Sequence, residues 1–355
     1  MPIVEEQLAS LSGNTYFTTL DLMSGYYQVP VEEESRKYMA FSTHDGHYEF
    51  NSMPFGLVNA PSVFQRMINE IIGQMRPGEA IAYLDDIITP SRTVQQECDR
   101  FERLLQVLRG AGLTLRPNKC VFFATRLRFL GHEVDGNGIR PGEAKVACIR
   151  NFPCPNDVPS VRRFLGLCGF FRKFIKDFAQ VSQPLTKLLK TKNGPHFTWT
   201  AEQNEAVDRL KMLLCSEPIL ALYDPNREHE LHTDASSEGL AGILLQRDDE
   251  GGLRVAYYYS RQCTEAEKLY HNFELEVLAI VESLERFRVY LLGKHFRIVT
   301  DCSGVSSSKN TKPLIPRIPR WFLKLQEYDF ELVHRTADKI PHADSLSRAP
   351  YEEPK

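Results

Sequence analysis

The sequence has no Cys-x-x-Cys pair and no comb of cysteine and histidine at zinc spacing. Its eight cysteines stand singly, which argues against a disulfide-stapled scaffold or structural zinc and fits the reduced thiols of an intracellular protein. No apolar run approaches a membrane span, and the acidic start Met1-Pro2-Ile3-Val4-Glu5-Glu6 lacks a secretory pattern. A cytoplasmic, non-secreted protein without a membrane partner is expected. There is no excess of basic charge: the formal net charge is −3, so contact with nucleic acid must rest on local patches. Low-complexity tracts and internal repeats are also missing. What remains is a chain of 355 residues, 42% hydrophobic and 25% charged, too long for one ordinary core. Two or three globular units are expected.

Two adjacent acids, Asp85 and Asp86, lie between the apolar runs Ile81-Ala82 and Ile87-Ile88. β-formers on either side predict a short hairpin with a tight Asp-Asp tip. Neighbouring carboxylates repel one another unless a cation sits between them. On the tetrapeptide alone an exposed turn is the favoured reading, since Asp is a common turn residue. Asp21 changes that balance, because Tyr16-Phe-Thr-Thr-Leu-Asp21 reads as a second strand ending in an acid. Three acids at neighbouring strand ends can cage two hard cations, the device used for in-line phosphoryl displacement.

Helices are expected over Ser62–Ile72, opened by Pro61, and over Val94–Gly110, closed by Gly110-Ala-Gly112. The Gly-, Pro- and Asn-rich stretch from Gly136 to Pro159 reads as a linker. From Ser160 to Lys190 the pattern is helical and two-faced. Phe164, Leu167, Cys168, Phe171, Phe174, Ile175 and Phe178 take one side, and Arg162, Arg172, Lys173 and Lys176 the other. A solvated basic face explains this pattern. With Arg126, Arg128, Lys187, Lys190 and Lys192 it also suits a phosphate track. Phe197-Thr-Trp199-Thr-Ala-Glu202 reads as a capped helix start. From about Glu228 the order strand, strand, strand, long helix (Ala266 to Leu292), strand, helix, strand predicts a mixed α/β domain.

In that last unit Asp234 ends the first strand and Asp301 ends the fourth. Glu276 shares a helix face with Ile280, Ser283 and Phe287, whereas Glu274 is expected to point toward solvent. A carboxylate on a buried side needs a partner, which favours Glu276 as the functional acid. Asp344, in His342-Ala-Asp344-Ser-Leu-Ser-Arg348, is either a helix-start carboxylate or a fourth member of the set. Together the four could hold two Mg²⁺ ions for phosphodiester hydrolysis.

Tyr16-Phe-Thr-Thr-Leu-Asp21-Leu-Met-Ser-Gly-Tyr-Tyr-Gln28, Phe50-Asn-Ser-Met-Pro-Phe55-Gly-Leu-Val-Asn-Ala-Pro61-Ser-Val-Phe-Gln65, Tyr83-Leu-Asp-Asp86 and Phe129-Leu-Gly-His132 occur in order. They resemble the successive reverse transcriptase motifs of gypsy-class LTR retrotransposons. The similarity continues through Arg163-Phe-Leu-Gly-Leu167 and Phe170-Phe-Arg-Lys-Phe-Ile175. It then covers a tethered ribonuclease H through Asp234-Ala-Ser236, Tyr270 to Ala279, Thr300-Asp301 and Ala343-Asp-Ser-Leu-Ser-Arg348. The resemblance implies an α+β multidomain fold: a polymerase palm over 1–135, a helical thumb and connection over 136–227, a ribonuclease H-like domain over 228–349, and a tail over 350–355. It implies that Asp21, Asp85 and Asp86 are the polymerase carboxylates, with Asp21 and Asp85 favoured as direct ligands of Mg²⁺ or Mn²⁺. Tyr26 would crowd a ribose 2′-hydroxyl, unless it is an ordinary core tyrosine. Phe55 and Gly56 would shape the nucleotide side of the palm, and Pro61 and Gln65 the template side. Phe129, Leu130, Gly131 and His132 would form the turn gripping the primer end, and Arg162, Arg172, Lys173 and Lys176 would follow the nucleic-acid backbone. Asp234, Glu276, Asp301 and Asp344 would be the ribonuclease H acids and metal ligands. The implied partners are an RNA template, a DNA primer, an RNA–DNA hybrid and deoxynucleoside triphosphates, the hybrid being read by shape and 2′-hydroxyl.

Two departures stand out. The resemblance begins at Met1, whereas the family has a fingers segment before that point whose basic residues hold the triphosphate; weak or absent polymerisation is therefore expected. After Asp301 the family commonly has His and an apolar continuation, whereas here Cys302-Ser-Gly-Val-Ser-Ser-Ser-Lys309 is small and polar. A ribonuclease H alone, or a binding protein without turnover, are the competing expectations. Neither an Asp-Thr/Ser-Gly protease site nor an integrase zinc comb is present.

Overall fold

The structure, a computed structural model, describes residues 1–190, 197–216, 218–301 and 317–334. The chain divides into two compact units, 1–138 and 139–355. Lys192, Asp344 and the segment Cys302 to Lys309 lie outside the described residues.

The first unit is built on a four-stranded antiparallel sheet in the order β4 (Ile81–Tyr83), β5 (Asp86–Ser91), β1 (Tyr16–Asp21), β6 (Val121–Ala124). Short helices α1 (Val4–Ala9) and α2 (Glu33–Arg36) and an exposed hairpin, β2 (Phe41–Thr43) with β3 (Gly46–Tyr48), complete its first half. Helices α3 (Ala60–Ile72) and α4 (Val94–Gly110) pack on the sheet and on each other. Both present apolar side chains four residues apart, Phe64 and Ile68 from one, Leu104 and Leu108 from the other. These meet Leu20, Leu22, Ala82 and Ile87 of the strand region in one core. Local chemistry sets the ends of α4: Thr93 Oγ1 accepts the Gln96 N–H (3.2 Å), and Gly112 leaves the helix at φ +72. A further hairpin joins β7 (Arg126–Phe129) to β8 (His132–Asp135) through Leu130 and Gly131, both at positive φ as a two-residue turn requires.

The second unit begins within β9 (Gly138–Pro141). Within the expected linker, Glu143–Arg150 forms a helix, α5, which turns Val146 and Ile149 inward. The single long amphipathic helix expected over Ser160–Lys190 is broken into α6 (Val158–Phe170), α7 (Phe178–Val181) and α8 (Gln183–Lys190). Asp157 caps α6 by accepting the Ser160 N–H (2.7 Å). Helix α9 (Ala201–Cys215) starts in a Thr200–Gln203 capping box, as its sequence predicts, and packs on α5 and α8.

A five-stranded mixed sheet follows, in the order β12 (Leu253–Gln262), β11 (Gly239–Arg247), β10 (His229–Ala235), β13 (His295–Thr300), β14 (Asp329–His334). The β12–β11 and β11–β10 pairs are antiparallel, and the β10–β13 and β13–β14 pairs are parallel. Helix α10 (Asn272–Arg286) crosses β10 and β11 and ends near Phe287, before the separate turn α11 (Arg288–Leu291). The close approach requires Gly242, because a Cβ there would collide with Ser283. Helix α12 (Arg317–Leu325) covers the other side of α10. The mixed α/β architecture matches the fold class expected from the sequence.

On β10, Glu230, His232 and Asp234 alternate onto one face of the sheet. Glu230, 1% exposed, is 3.0 Å from His232 Nε2, 3.3 Å from Arg247 Nη2 and 3.6 Å from Arg297 Nη2. Glu230→Ala would leave the buried His232 without its carboxylate and remove one partner of Arg247 and Arg297, which are partly exposed and also pair with Glu228. Chemical denaturation should report a loss of about 3 kcal/mol, whereas a surface ion pair would cost under about 1 kcal/mol.

Candidate functional site

In the first unit the β4–β5 hairpin turns on Leu84 and Asp85, with Tyr83 paired to Asp86. The tip is therefore one residue earlier than the Asp-Asp tip expected, since Asp86 already belongs to β5. Across the sheet Asp86 pairs with Asp21, so the acids of two strands meet at one end. Asp85 Oδ1 is buried without a hydrogen-bond partner. It packs against Gly25, where a Cβ would come 2.6 Å from that oxygen and 2.8 Å from the Phe64 ring. Burial and then the Asp21 charge push the Asp85 carboxyl above its ordinary range. The Asp86 side chain reaches solvent, but the surrounding protein, Asp21 and Asp85 raise it too. Lys119 Nζ, 3.6 Å from Asp21 Oδ2, offsets part of this repulsion. No local pattern announces Lys119, which arrives on the helical turn Pro117–Lys119 far along the chain.

Tyr26 stands beside these acids with its ring 5.1 Å from Phe55 and 5.4 Å from Phe64. Burial and the Asp85 charge raise its phenol. Phe55 and Gly56 are exposed, Gly56 at φ +97 with open space where a Cβ would stand. Pro61 is half-buried in the first turn of α3. Gln65 is buried and directed at the hairpin, so the structure does not offer it to a template. Phe129 and His132 are each 2% exposed, which leaves Leu130 and Gly131 as the reachable part of the turn expected to grip a primer.

In the second unit β10 and β13 run parallel with His232 opposite Val299. Two residues further on, Asp234 and Asp301 lie side by side at the strand ends. Glu276 comes to them from α10, 8% exposed, its carboxylate accepting the Ala235 N–H and its Oε2 buried without a partner. Burial, followed by Asp301 and Asp234, pushes the Glu276 carboxyl up to about 8. Asp234 is raised by the protein around it, then by Asp301 and Asp177. Asp344 lies outside the described residues. Glu274 is not at the surface as expected: it is 3% exposed, accepts the His271 N–H (3.1 Å) and pairs with Arg317 (2.5 Å). Its work is to cap α10, which leaves Glu276 as the acid facing Asp234 and Asp301.

The basic face expected along 162–176 is not one track. Arg162 is exposed, but Arg172 donates to the Ser260 carbonyl (2.5 Å) and Lys173 is buried against the Phe174 ring. The cause is the helix break after α6, which turns these residues onto β12. The same segment is held there by the Ala179 N–H on Ser260 Oγ (3.0 Å) and by Gln262 Nε2 on the Ala179 carbonyl (3.1 Å). Ser260, Ala241 and Asp234 share one cross-strand row. Lys176 and Asp177, the latter left-handed at φ 55, thereby come within electrostatic reach of Asp234, lowering and raising its pKa respectively.

Among the described residues no three acids, histidines or cysteines are drawn together closely enough to hold a metal ion unaided. The acid pairs nevertheless fit a hard cation. Asp85 Oδ1 and Glu276 Oε2 are buried, unpartnered oxygen donors whose charged forms the surrounding protein disfavours. No described helix is long and apolar enough to cross a membrane.

Residues 2–134 match the family model for reverse transcriptase (RNA-dependent DNA polymerase), and residues 199–298 match the RNase H-like domain found in reverse transcriptase. The chain is 38% identical over 353 residues to the retrovirus-related Pol polyprotein from transposon 297 of Drosophila melanogaster, covering 99% of this chain and 33% of that protein. It is 32% identical to the transposon Tf2-3 polyprotein of Schizosaccharomyces pombe, covering 98% of this chain and 26% of that protein. The chain thus spans about a third or less of the length of these relatives. A solved structure of the foamy viral protease–reverse transcriptase in complex with dsDNA shares the fold, with a TM-score of 0.85 at 21% identity, covering 95% of this chain and 71% of that one. Another, described as in complex with RNA/DNA hybrid, superposes with a TM-score of 0.79 at 21% identity, covering 98% and 48%. Motif order, the two acid-bearing sheets and these relatives agree: the chain belongs to the reverse transcriptase and ribonuclease H-like region of the Pol polyproteins of LTR retrotransposons.

Proposed function

We propose that the chain is an RNA-directed DNA polymerase tethered to a ribonuclease H, and that each activity uses Mg²⁺ at its own acid cluster. One observation carries the reading. In each unit carboxylates are gathered at strand ends although this raises their pKa, an arrangement that costs stability unless a cation compensates it.

Asp21, Asp85 and Asp86 would hold the ions of the palm, and Asp234, Glu276 and Asp301, joined by Asp344, those of the nuclease. When bound, pairs of Mg²⁺ ions neutralise charge on the attacking and leaving oxygens of phosphoryl transfer. Mg²⁺ commonly takes one or two carboxylates, several waters and substrate phosphates, so an incompletely closed acid set suits it. Tyr26, wedged between Phe55 and Phe64 beside Asp85, walls the nucleotide site on the side of a ribose 2′-hydroxyl. Lys119 spreads positive charge over Asp21 and lowers the cost of holding three acids together before substrate arrives. In the nuclease Lys176 lies near enough to Asp234 to attract a hybrid phosphate toward the acids. The partners of this reading are an RNA template with a DNA primer, deoxynucleoside triphosphates and the resulting hybrid.

Incubation of the chain with a primed RNA template, deoxynucleotides and Mg²⁺ should extend the primer and cleave the paired RNA, and EDTA should stop both. Hybrid cleavage without extension would reduce the reading to a nuclease. Salt-sensitive hybrid binding without turnover of either kind would overturn it.

A further inference from the structure

Leu84 occupies the left-handed region at φ +53, a conformation that a leucine keeps only where its surroundings enforce it. Its neighbour Asp85 is the half-buried acid of the palm whose Oδ1 is shut from solvent, so whatever enforces the turn also sets the direction of that carboxylate. The group that bonds to this turn from outside the hairpin is the side chain of Gln65, on α3 and 3% exposed. Gln65 Oε1 accepts the Leu84 N–H at 2.7 Å, and Gln65 Nε2 donates to the Ala82 carbonyl at 3.1 Å. The second hydrogen on Nε2 goes to Asn69 Oδ1 at 2.8 Å. These partners fix which end of the carboxamide is which, since the flipped amide would set donor against donor at Leu84 and acceptor against acceptor at Ala82. Both hydrogens are committed to the protein, so none is left to read a base. The preceding residue, Phe64, lies against Gly25 next to Asp85 Oδ1. One turn of α3 therefore packs on the site with one residue and clamps the hairpin backbone with the next.

We infer that Gln65 is a positioning residue of the polymerase site: its carboxamide bridges Ala82 and Leu84, holds the left-handed turn, and so fixes the angle at which Asp85 meets a divalent cation. The inference rests on the polymerase reading of Asp85 and deepens it. A carboxamide suits this task because it offers a donor and an acceptor in one plane, matched to two backbone groups two residues apart. Methionine keeps the length and packing of the side chain but neither hydrogen bond.

Gln65→Met is therefore tested in the full chain carrying Asp234→Asn and Asp301→Asn, which silences the second acid cluster. Hydrogen exchange at the Leu84 amide should accelerate at least about tenfold, while the Leu104 amide in the core of α4 stays protected and reports that the unit is folded. Mn²⁺ affinity, read by electron paramagnetic resonance, should fall about tenfold. Adding Leu84→Gly should restore part of that affinity, because glycine adopts positive φ without a clamp. Unchanged exchange at Leu84, or faster exchange with unaltered Mn²⁺ affinity, would overturn the positioning role. A polymerase misassignment reads differently: Mn²⁺ binding would then be insensitive to Asp85→Asn as well, and Gln65 would lose its role with it.

Discussion

Asp85→Asn should lower primer extension by about 10³-fold, roughly 4 kcal/mol of transition-state stabilisation, and leave hybrid cleavage unchanged. The substitution keeps the shape of the side chain and removes only its charge. Shape matters here, because Asp85 Oδ1 is buried beside Gly25, where even a Cβ would come 2.6 Å from it. Charge matters because this oxygen has no hydrogen bond within the protein to give up, so a cation is the partner it lacks. The variant should fold as stably as the parent or more so in the absence of metal, since Asp21 then faces an amide. Loss of extension together with an unchanged melting temperature separates a catalytic defect from a folding one. Asp86→Asn should cost less, about tenfold, because that side chain reaches solvent and water can screen its loss.

Glu276→Gln should abolish hybrid cleavage, by about 10³-fold, and yet stabilise the metal-free protein at alkaline pH. The sign follows from linkage. In the folded chain burial and the neighbouring acids hold the Glu276 carboxyl at about 8, against 4.5 for an ordinary glutamate. The folded protein therefore binds a proton that the unfolded chain has already released. The favourable contribution is complete below pH 4.5 and is lost as pH rises through 8, amounting to a swing on the order of 5 kcal/mol. Glutamine carries no charge to desolvate and removes this dependence. Thermal melts in EDTA at pH 8.5 should place the variant above the wild type, and added Mg²⁺ should narrow the gap by stabilising the wild type alone. A variant melting below the wild type at pH 8.5 would show that Glu276 is held by contacts the structure does not contain.

Features written in short-range chemistry were legible in the sequence. Thr93 and Gly112 delimit α4 at the predicted residues because a cap and a glycine stop act within one turn. Asp21, Asp85, Asp86, Asp234 and Asp301 were found because acids at the ends of apolar runs stand out against a strand pattern, and the structure gathers the first three and the last two at strand ends. Packing between distant segments was not legible. The glycines and prolines of 136–159 suggested a linker, but Val146 and Ile149 of α5 find apolar partners and the helix forms. Glu274 was assigned to solvent from a one-sided helical wheel, whereas α10 is covered by the sheet on one side and α12 on the other. The positive charges of Arg172 and Lys173 looked like one exposed face, until the break after α6 turned them toward Ser260 and Phe174. Gln65 and Lys119 serve acids far from them in sequence, and no local pattern announces either.

Two acid clusters running two reactions is the central claim, and one crossed assay tests it most directly. A primed RNA template carrying one label on the RNA and another on the primer would be given to the wild type, Asp85→Asn and Asp301→Asn with Mg²⁺. Asp85→Asn should retain RNA cleavage and lose extension, and Asp301→Asn should retain extension and lose cleavage. If either substitution removed both activities, or neither changed one, the assignment of a separate reaction to each cluster would be contradicted.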